Sequence, residues 1–242
     1  MRFSVELSLE EEKFPKDKNR IFISLLKNNF SGYNQEYFES QYKNMPNKMK
    51  NFTFSVYMGK CKFLRDEIVV PDKKIYLNFS TNNYEDGIMF YNSFLTNMGK
   101  EYPLKNNKMK IEKIRMIKEK VIYDNKVIFK TLSPIVVREH GGDNKKTWYH
   151  SLSNEKGQVI FKENMRQQLG DEFGEKAMYD FEDIEIDISK DNRDVKVKNY
   201  GIEVLSNVTK IQMKAKPYIL DYFYKVGVGS KRSSGFGMLD IV

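Results

Sequence analysis

The sequence predicts an α+β protein built as two tandem ferredoxin-like domains, each running strand, helix, strand, strand, helix, strand (βαββαβ). Three observations predict it. Segments whose apolar residues alternate with period two are interleaved with segments of helical period. The six-element succession runs once to about residue 122 and then starts again. A chain of 242 residues with 40% hydrophobic and 14% aromatic residues, and only 6 Pro and 14 Gly, supplies enough apolar surface for packed cores.

Residues 2 to 8 (RFSVELS) alternate apolar and polar, as a half-buried strand does. Residues 18 to 30 place Ile21 with Leu25, and Phe22 with Leu26, on one helical stripe, and 34 to 42 (NQEYFESQY) predict a second short helix. NFTFSVYM (51 to 58) and KIYLNFS (74 to 80) are rich in β-branched and aromatic residues and predict strands. A helix over 84 to 98 and a long strand from about 109 to 122 complete the first unit. The second opens with one strand over VIFKTLSPIVVR (127 to 138) and continues through a helix near 154 to 170. FEDIEIDISK, DVKVKNYGIEVLS and VTKIQMKAKP then predict strands, PYILDYFYK (217 to 225) a helix, and GMLDIV a terminal strand. No Pro- or Ser-rich linker intervenes, so the expected domains are 1–123 and 124–242, closely packed. Phe52, Phe54, Tyr57, Tyr76 and Phe79 alternate on strands and are assigned to the core.

The single cysteine, Cys61, excludes an intramolecular disulfide and a paired-cysteine zinc site, which favours a reducing, cytoplasmic compartment. The N-terminal MRFSVELSLEEEKF lacks the basic and apolar regions of a signal peptide, and no window holds eighteen uninterrupted apolar residues, so no membrane partner is expected. The formal charge of +8 suits a polyanionic partner. It is unevenly spread: residues 1 to 122 carry 22 basic and 15 acidic residues, leaving 19 and 18 for the rest. Within that second part, 171 to 194 hold ten acids and three bases, expected on solvated strands and turns, whereas 195 to 238 hold eight bases and two acids.

GVGSKRSSGFG (227 to 237) interleaves Gly227, Gly229, Gly235 and Gly237 with Ser230, Lys231, Arg232, Ser233, Ser234 and Phe236. Glycines permit left-handed backbone and close approach of a ligand to N–H groups, and Lys231 and Arg232 supply charge for phosphate. The pattern is not a P-loop, because it follows a helix and opens a strand.

GSKRSSGFGMLDIV resembles the glycine-rich signature of the CRISPR-associated endoribonucleases that cut repeat-containing precursor RNA, members of the RAMP superfamily with tandem ferredoxin-like folds. MRFSVEL, NFTFSVYM and KTLSPIVVR agree in order and spacing, so the resemblance spans essentially the whole chain. It implies metal-independent, cofactor-free cleavage in which the substrate's 2′-OH attacks the adjacent phosphate, leaving 2′,3′-cyclic phosphate and 5′-OH ends. Such chemistry needs a base, an acid and a cation near the phosphorus. The resemblance also implies CRISPR repeat RNA as the main partner, with a CRISPR effector complex and a second copy of the chain as further ones. RNA is expected against the basic first half and the glycine-rich loop.

Many family members place a catalytic histidine at the end of the helix before the FTFS strand, a tyrosine in the first helix and a lysine just before the strand. Aligned backwards from Phe52, the lysine position falls on Lys50, the histidine position on Tyr42 and the tyrosine position on Lys27. A phenol with an unperturbed pKa near ~10 can donate a proton but is a poor base at neutral pH, so Lys43, Lys48 and Lys50 are expected to lower it. General acid–base catalysis contributes about 10²- to 10⁴-fold, so losing the imidazole weakens cleavage without abolishing it. The alternatives are a relocated acid–base histidine, His140 or His150, and an RNA-binding subunit that has lost cleavage. Around those histidines REHGGDNKKTWYHS gathers Arg138, Lys145, Lys146, Trp148 and Tyr149, a mixture suited to phosphate contact and base stacking, with Trp148 otherwise anchoring the segment to the core.

Overall fold

A computed structural model describes residues 1–43, 49–141 and 146–242. The chain divides into two units: one comprises Met1–Glu119 with residues 198–202 and 233–235, the other the remainder.

In the first unit the alternation of RFSVELSL becomes β1 (Arg2–Leu9), which buries Phe3, Val5, Leu7 and Leu9. There follow β2 (Lys13–Pro15), α1 (Lys18–Tyr33), α2 (Gln35–Tyr42), β3 (Phe52–Tyr57), β4 (Lys62–Phe63), β5 (Glu67–Val69), β6 (Lys74–Thr81), α3 (Tyr84–Leu95), β7 (Glu101–Leu104) and β8 (Asn107–Met116). The main sheet runs β3-β6-β1-β8-β7 with antiparallel neighbours throughout. With α1 and α3 as its helices, β1, β3, β6 and β8 form the ferredoxin-like βαββαβ unit, and β7 adds an edge strand. Phe22, Leu25, Leu26 and Phe30 of α1 and Phe90 and Phe94 of α3 join the buried sheet residues in one core. Phe3 stacks on Phe79 at 4.9 Å, and Phe90 lies 4.8 Å from Phe79 and 4.5 Å from Phe30. Each fully buried Phe stabilises the unit by about 1.5–3 kcal/mol. Asn34 caps α2 by accepting from the Tyr37 N–H at 2.9 Å. Asn83 caps α3, accepting from the N–H groups of Glu85 at 2.9 Å and Asp86 at 3.2 Å. Of the five aromatics assigned to the core, Tyr57 is instead exposed and Tyr76 only half-buried, because alternation puts both on the sheet face opposite the buried Phe52, Phe54 and Phe79, where their rings lie 6.2 Å apart.

The second unit contains β9 (Lys126–Thr131), β10 (Val137–His140), β11 (Thr147–His150), α4 (Glu155–Phe173), α5 (Glu175–Glu182), β12 (Glu185–Ile188), β13 (Arg193–Asn199), β14 (Ile202–Val208), β15 (Lys210–Lys214), α6 (Pro217–Val226) and β16 (Leu239–Ile241). Its sheet order, β12-β15-β9-β16, repeats the ferredoxin-like arrangement. Phe129, Phe161, Leu169, Ile211, Leu220 and Phe223 are among its buried core.

Four expectations are corrected here. The strand expected over 127 to 138 is two, because Pro134 has no N–H for a ladder and the Ser133 hydroxyl instead accepts from the Met238 N–H at 2.9 Å. Its second half pairs with β11 as a hairpin. DVKVKNYGIEVLS is likewise a hairpin, turning at Tyr200 (φ 52°) and Gly201 (φ 82°), where left-handed backbone at both positions suits a tight turn. The acids of 171 to 182 lie on α4 and α5, not on strands and turns. The strand expected to reach residue 122 ends at Met116. No helix among the described residues is long and apolar enough to cross a membrane.

Candidate functional site

Lys27, Tyr42 and Lys50 come from α1, the end of α2 and the segment before β3, and the fold brings them together. The Lys27 ammonium lies 5.1 Å from the centre of the Tyr42 ring, and that of Lys50 also 5.1 Å. Phe38 stacks on the ring at 4.8 Å and Phe30 meets it edge-on at 6.3 Å, which fixes its plane. Lys50 also donates to the backbone carbonyl of Gln41. Each cation over the ring contributes roughly 0.5–1 kcal/mol.

The expected lowering of the Tyr42 pKa is not found. Burial pushes the phenol well above its usual value, and the Asp86 carboxylate adds to the rise. Lys43 is spent on Glu39, 2.5 Å away, while Lys50 sits over the ring face. Lys48 lies outside the described residues. Asp86 also accepts a hydrogen bond from Tyr37 at 2.9 Å, and that phenol too is pushed up, by burial first and then by this bond.

The glycine-rich segment is packed rather than open. Gly227 ends α6 in left-handed backbone at φ 76°. Gly229, Gly235 and Gly237 also have positive φ, and a Cβ would fall 2.6 Å from the Val136 carbonyl oxygen, 2.6 Å from the Phe54 ring and 2.0 Å from the Val228 carbonyl oxygen respectively. The glycines thus admit the protein's own backbone and rings. N–H groups of the segment serve the fold: Val228 donates to Gly237, Ser230 to Val136 and Gly237 to Pro134. Phe236 is fully buried with Val136 and Val204. Asn19, 1% exposed, donates from its side chain to the carbonyls of Ser234 at 2.9 Å and Gly235 at 3.3 Å. Ser230, Lys231, Ser233 and Ser234 remain partly exposed.

Arg232 corrects the expectation of a phosphate-contacting pair. It is 4% exposed, donates to the Val226 carbonyl and interacts with Tyr222, Glu172 and Asp171. The acidic stretch therefore neutralises part of the basic one: Lys214 pairs with Glu185 at 2.6 Å and Lys216 with Asp180 at 2.7 Å. Lys231 has no carboxylate pair among the described residues, and burial followed by the nearby Arg138 holds its ammonium below the usual range.

In the β10–β11 hairpin Val137 opposes His150, Arg138 Tyr149, Glu139 Trp148 and His140 Thr147. Since strand side chains alternate, the two histidines lie on opposite faces. His150 is 2.7 Å from the Glu139 carboxylate, which also pairs with Lys156 at 2.9 Å. His140 lies 3.4 Å from the Thr147 hydroxyl, and partial burial, then Arg138 and Lys231, hold it below the usual imidazole value. Trp148, expected as an anchor, is 46% exposed, because it pairs with Glu139 nearer the hairpin's turn than the fully buried Val137 on the same face. Lys145 lies outside the described residues. Among the described residues no group of three His, Cys, Asp or Glu side chains converges.

Sequence reasoning passed over Lys18. Burial of its ammonium brings it down to about 8, with Cys61 opposing the shift, and its Nζ donates to Asn19 Oδ1 at 2.8 Å. Nothing in the local sequence signals this environment.

Residues 117–241 match the family model described as "CRISPR associated protein Cas6, C-terminal". The chain belongs to the Cas6 family. Its fold is shared with the product of a Cas6-related gene from Pyrococcus furiosus, at 21% identity and TM-score 0.83 over 100% of this chain and 98% of that one. A RAMP protein described as binding different RNA substrates matches at 21% identity and TM-score 0.84, over 100% and 99%. A CRISPR-associated Cas6 protein matches at 24% identity and TM-score 0.76, over the same shares. No curated protein matches. Cas6 membership and these folds agree with the tandem ferredoxin-like architecture and with the RAMP-type resemblance drawn from the glycine-rich tail.

Proposed function

We propose that this Cas6-family chain binds CRISPR repeat RNA and cleaves it without a metal, at a centre made by Lys27, Tyr42 and Lys50. The observation that carries the reading is the convergence of these three side chains from separate elements around one ring. In the proposed step the substrate's 2′-oxygen forms a bond to the adjacent phosphorus and its proton passes to solvent. The bond from phosphorus to the 5′-oxygen breaks, and the Tyr42 hydroxyl protonates that leaving oxygen, the phenolate then recovering a proton from water. Lys27 and Lys50 offset the charge that builds on the phosphoryl oxygens. The products are a 2′,3′-cyclic phosphate and a 5′-OH. A phenol held high in pKa is a weak acid, but a leaving alkoxide is a stronger base than phenolate, so the transfer runs downhill. No imidazole serves as base at this centre, so rate comes mainly from in-line positioning and electrostatics. Ser230, Lys231, Ser233 and Ser234 are the members of the glycine-rich segment placed to meet RNA.

A second reading, RNA binding without cleavage, is favoured by two observations: the Tyr42 phenol is raised, and the Lys50 ammonium is engaged by the Gln41 carbonyl. Single-turnover cleavage by Tyr42→Phe, Lys27→Ala and Lys50→Ala, each normalised to bound repeat RNA, tests the centre. All three should cleave more slowly than the parent at equal occupancy. Full activity in Tyr42→Phe would remove it as the donor. A parent protein that shifts repeat RNA on a gel and leaves it intact would establish the second reading. His140→Ala and His150→Ala should keep cleavage per bound RNA; a loss confined to one would move the acid–base role to that histidine.

A further inference from the structure

Several features of the second unit converge on one face of the β10–β11 hairpin. Register places Arg138 and His140 on one face, opposite Tyr149 and Thr147. The Ser230 N–H donates to the Val136 carbonyl at 2.8 Å, which lays the glycine-rich segment along β10 just ahead of them. Asn164 of α4 ties the two together. Its Oδ1 accepts from the Ser230 hydroxyl at 3.2 Å and from the Arg138 N–H at 3.3 Å, and its Nδ2 donates to the Arg138 carbonyl at 3.2 Å. Among the described residues, the groups facing His140 are therefore Arg138 from β10, Thr147 and Tyr149 from β11, and Lys231 from the loop. Glu139, the carboxylate between them in sequence, is on the other face with His150 and Lys156.

Three basic side chains thus gather with no carboxylate paired to Arg138 or Lys231 among the described residues, and among them Arg138 Nε is buried with no hydrogen-bond acceptor. Lys231 also occupies left-handed backbone at φ 59°, in a segment whose other positive-φ positions are glycines. A non-glycine residue held there is strained, and glycine at 231 would be the easier choice for the backbone alone. Burial first, and then mutual repulsion, holds the protonation of Lys231 and His140 below the usual values. Strain, unpaired like charges and a buried idle donor in one place are what an anion would relieve.

We propose that Arg138, His140 and Lys231 form a binding site for one phosphate group, and that phosphate binding there takes up a proton on His140. That the phosphate belongs to an RNA backbone rests on the function proposed above; the site itself does not. The free imidazole protonates below the usual His range, and a bound phosphate favours the charged ring, so its protonation point rises on binding. Affinity is greatest below the free value and falls as pH rises through the bound one. Each unit by which phosphate raises it gives about a tenfold fall in affinity across that window.

The test uses the full chain, with inorganic phosphate at constant ionic strength as the first probe and the His ring protons followed by NMR across pH. Phosphate should raise the protonation point of His140, and Lys231→Gly and Arg138→Gln should each abolish that rise. Lys231→Gly should melt no lower than the parent, since it relieves left-handed strain and like-charge repulsion, so a lost response cannot be put down to unfolding. An unmoved His140, or an equal movement of His140 and His150, overturns the site. The second probe is 5′-hydroxyl repeat RNA. Its affinity should fall as pH rises through the His140 titration, and His140→Gln should flatten the dependence. Repeat RNA that binds Lys231→Gly and His140→Gln as tightly as the parent leaves the RNA reading standing and overturns the assignment of this site to an RNA phosphate. A phosphate-responsive His140 in a chain that binds no RNA retains the site and removes the RNA reading.

Discussion

Replacing Gly237 by Ala tests whether the glycines serve packing or ligand contact. The backbone at 237 has φ +70°, and the added Cβ would stand 2.0 Å from the Val228 carbonyl oxygen, with the Val228 carbonyl carbon at 3.1 Å. Left-handed backbone costs an L-residue about 1–2 kcal/mol. Relief of the clash must separate two backbone segments joined by the Val228 N–H to Gly237 carbonyl bond at 3.0 Å, beside the Gly237 N–H to Pro134 carbonyl bond at 2.9 Å. Losing these adds about 1 kcal/mol each. The sum is about 3–4 kcal/mol, which for a chain of this size lowers Tm by about 6–16 °C. Gly174→Ala is the control: the backbone has φ +77° and ψ −171°, but nothing lies within 4 Å of the new Cβ, so only the strain of about 1–3 kcal/mol applies. Calorimetry or circular dichroism melts of both variants read the difference directly. Equal melting temperatures for the two, or a Gly237→Ala protein as stable as the parent, would refute the packing argument.

Other outcomes follow from the same geometry. Asn19→Ala removes the side-chain donor to the Ser234 and Gly235 carbonyls and should destabilise the fold by about 2 kcal/mol in urea denaturation. Because the Tyr42 phenol is raised, it stays protonated through neutral and mildly alkaline pH, and no imidazole acts as base. The single-turnover rate should therefore climb with pH without a bell-shaped maximum; a bell with an acidic limb near about 6.5 would indicate a histidine. His140 is depressed in the folded chain relative to its unfolded value, so stability is full above that unfolded value and declines as pH falls through the folded one. His140→Gln should remove that acidic decline in melting experiments. A substrate carrying 2′-deoxyribose before the cut should bind and stay uncut; normal cutting of it would overturn the proposed attack.

The βαββαβ order was legible because its signals are local: alternation along β1, β3 and β6, and helical stripes in α1 and α6. The grouping of Lys27, Tyr42 and Lys50 was legible only through family spacing, since the α1–α2 connection that brings them together depends on the Asn34 cap and on Phe30 packing beneath the ring. What escaped the sequence is long-range. The glycines look like a ligand loop until Gly229 is found against Val136 and Gly235 against Phe54, residues far away along the chain. Lys231 and Arg232 are adjacent and chemically alike, yet the left-handed turn at Lys231 leaves one partly exposed and sends the other into the core. The Tyr42 pKa failed to fall because a rule of neighbouring charge cannot anticipate burial or an Asp86 brought in by α3.

The most direct test of the central claim is incubation of the purified chain with end-labelled repeat RNA in EDTA, with products resolved to single nucleotides and their termini determined. Cleavage at a fixed position in the repeat, leaving a 2′,3′-cyclic phosphate and a 5′-OH and slowed in Tyr42→Phe, is the predicted result. Intact RNA, cleavage that requires added metal, or products with 5′-phosphate and 3′-OH ends would contradict it.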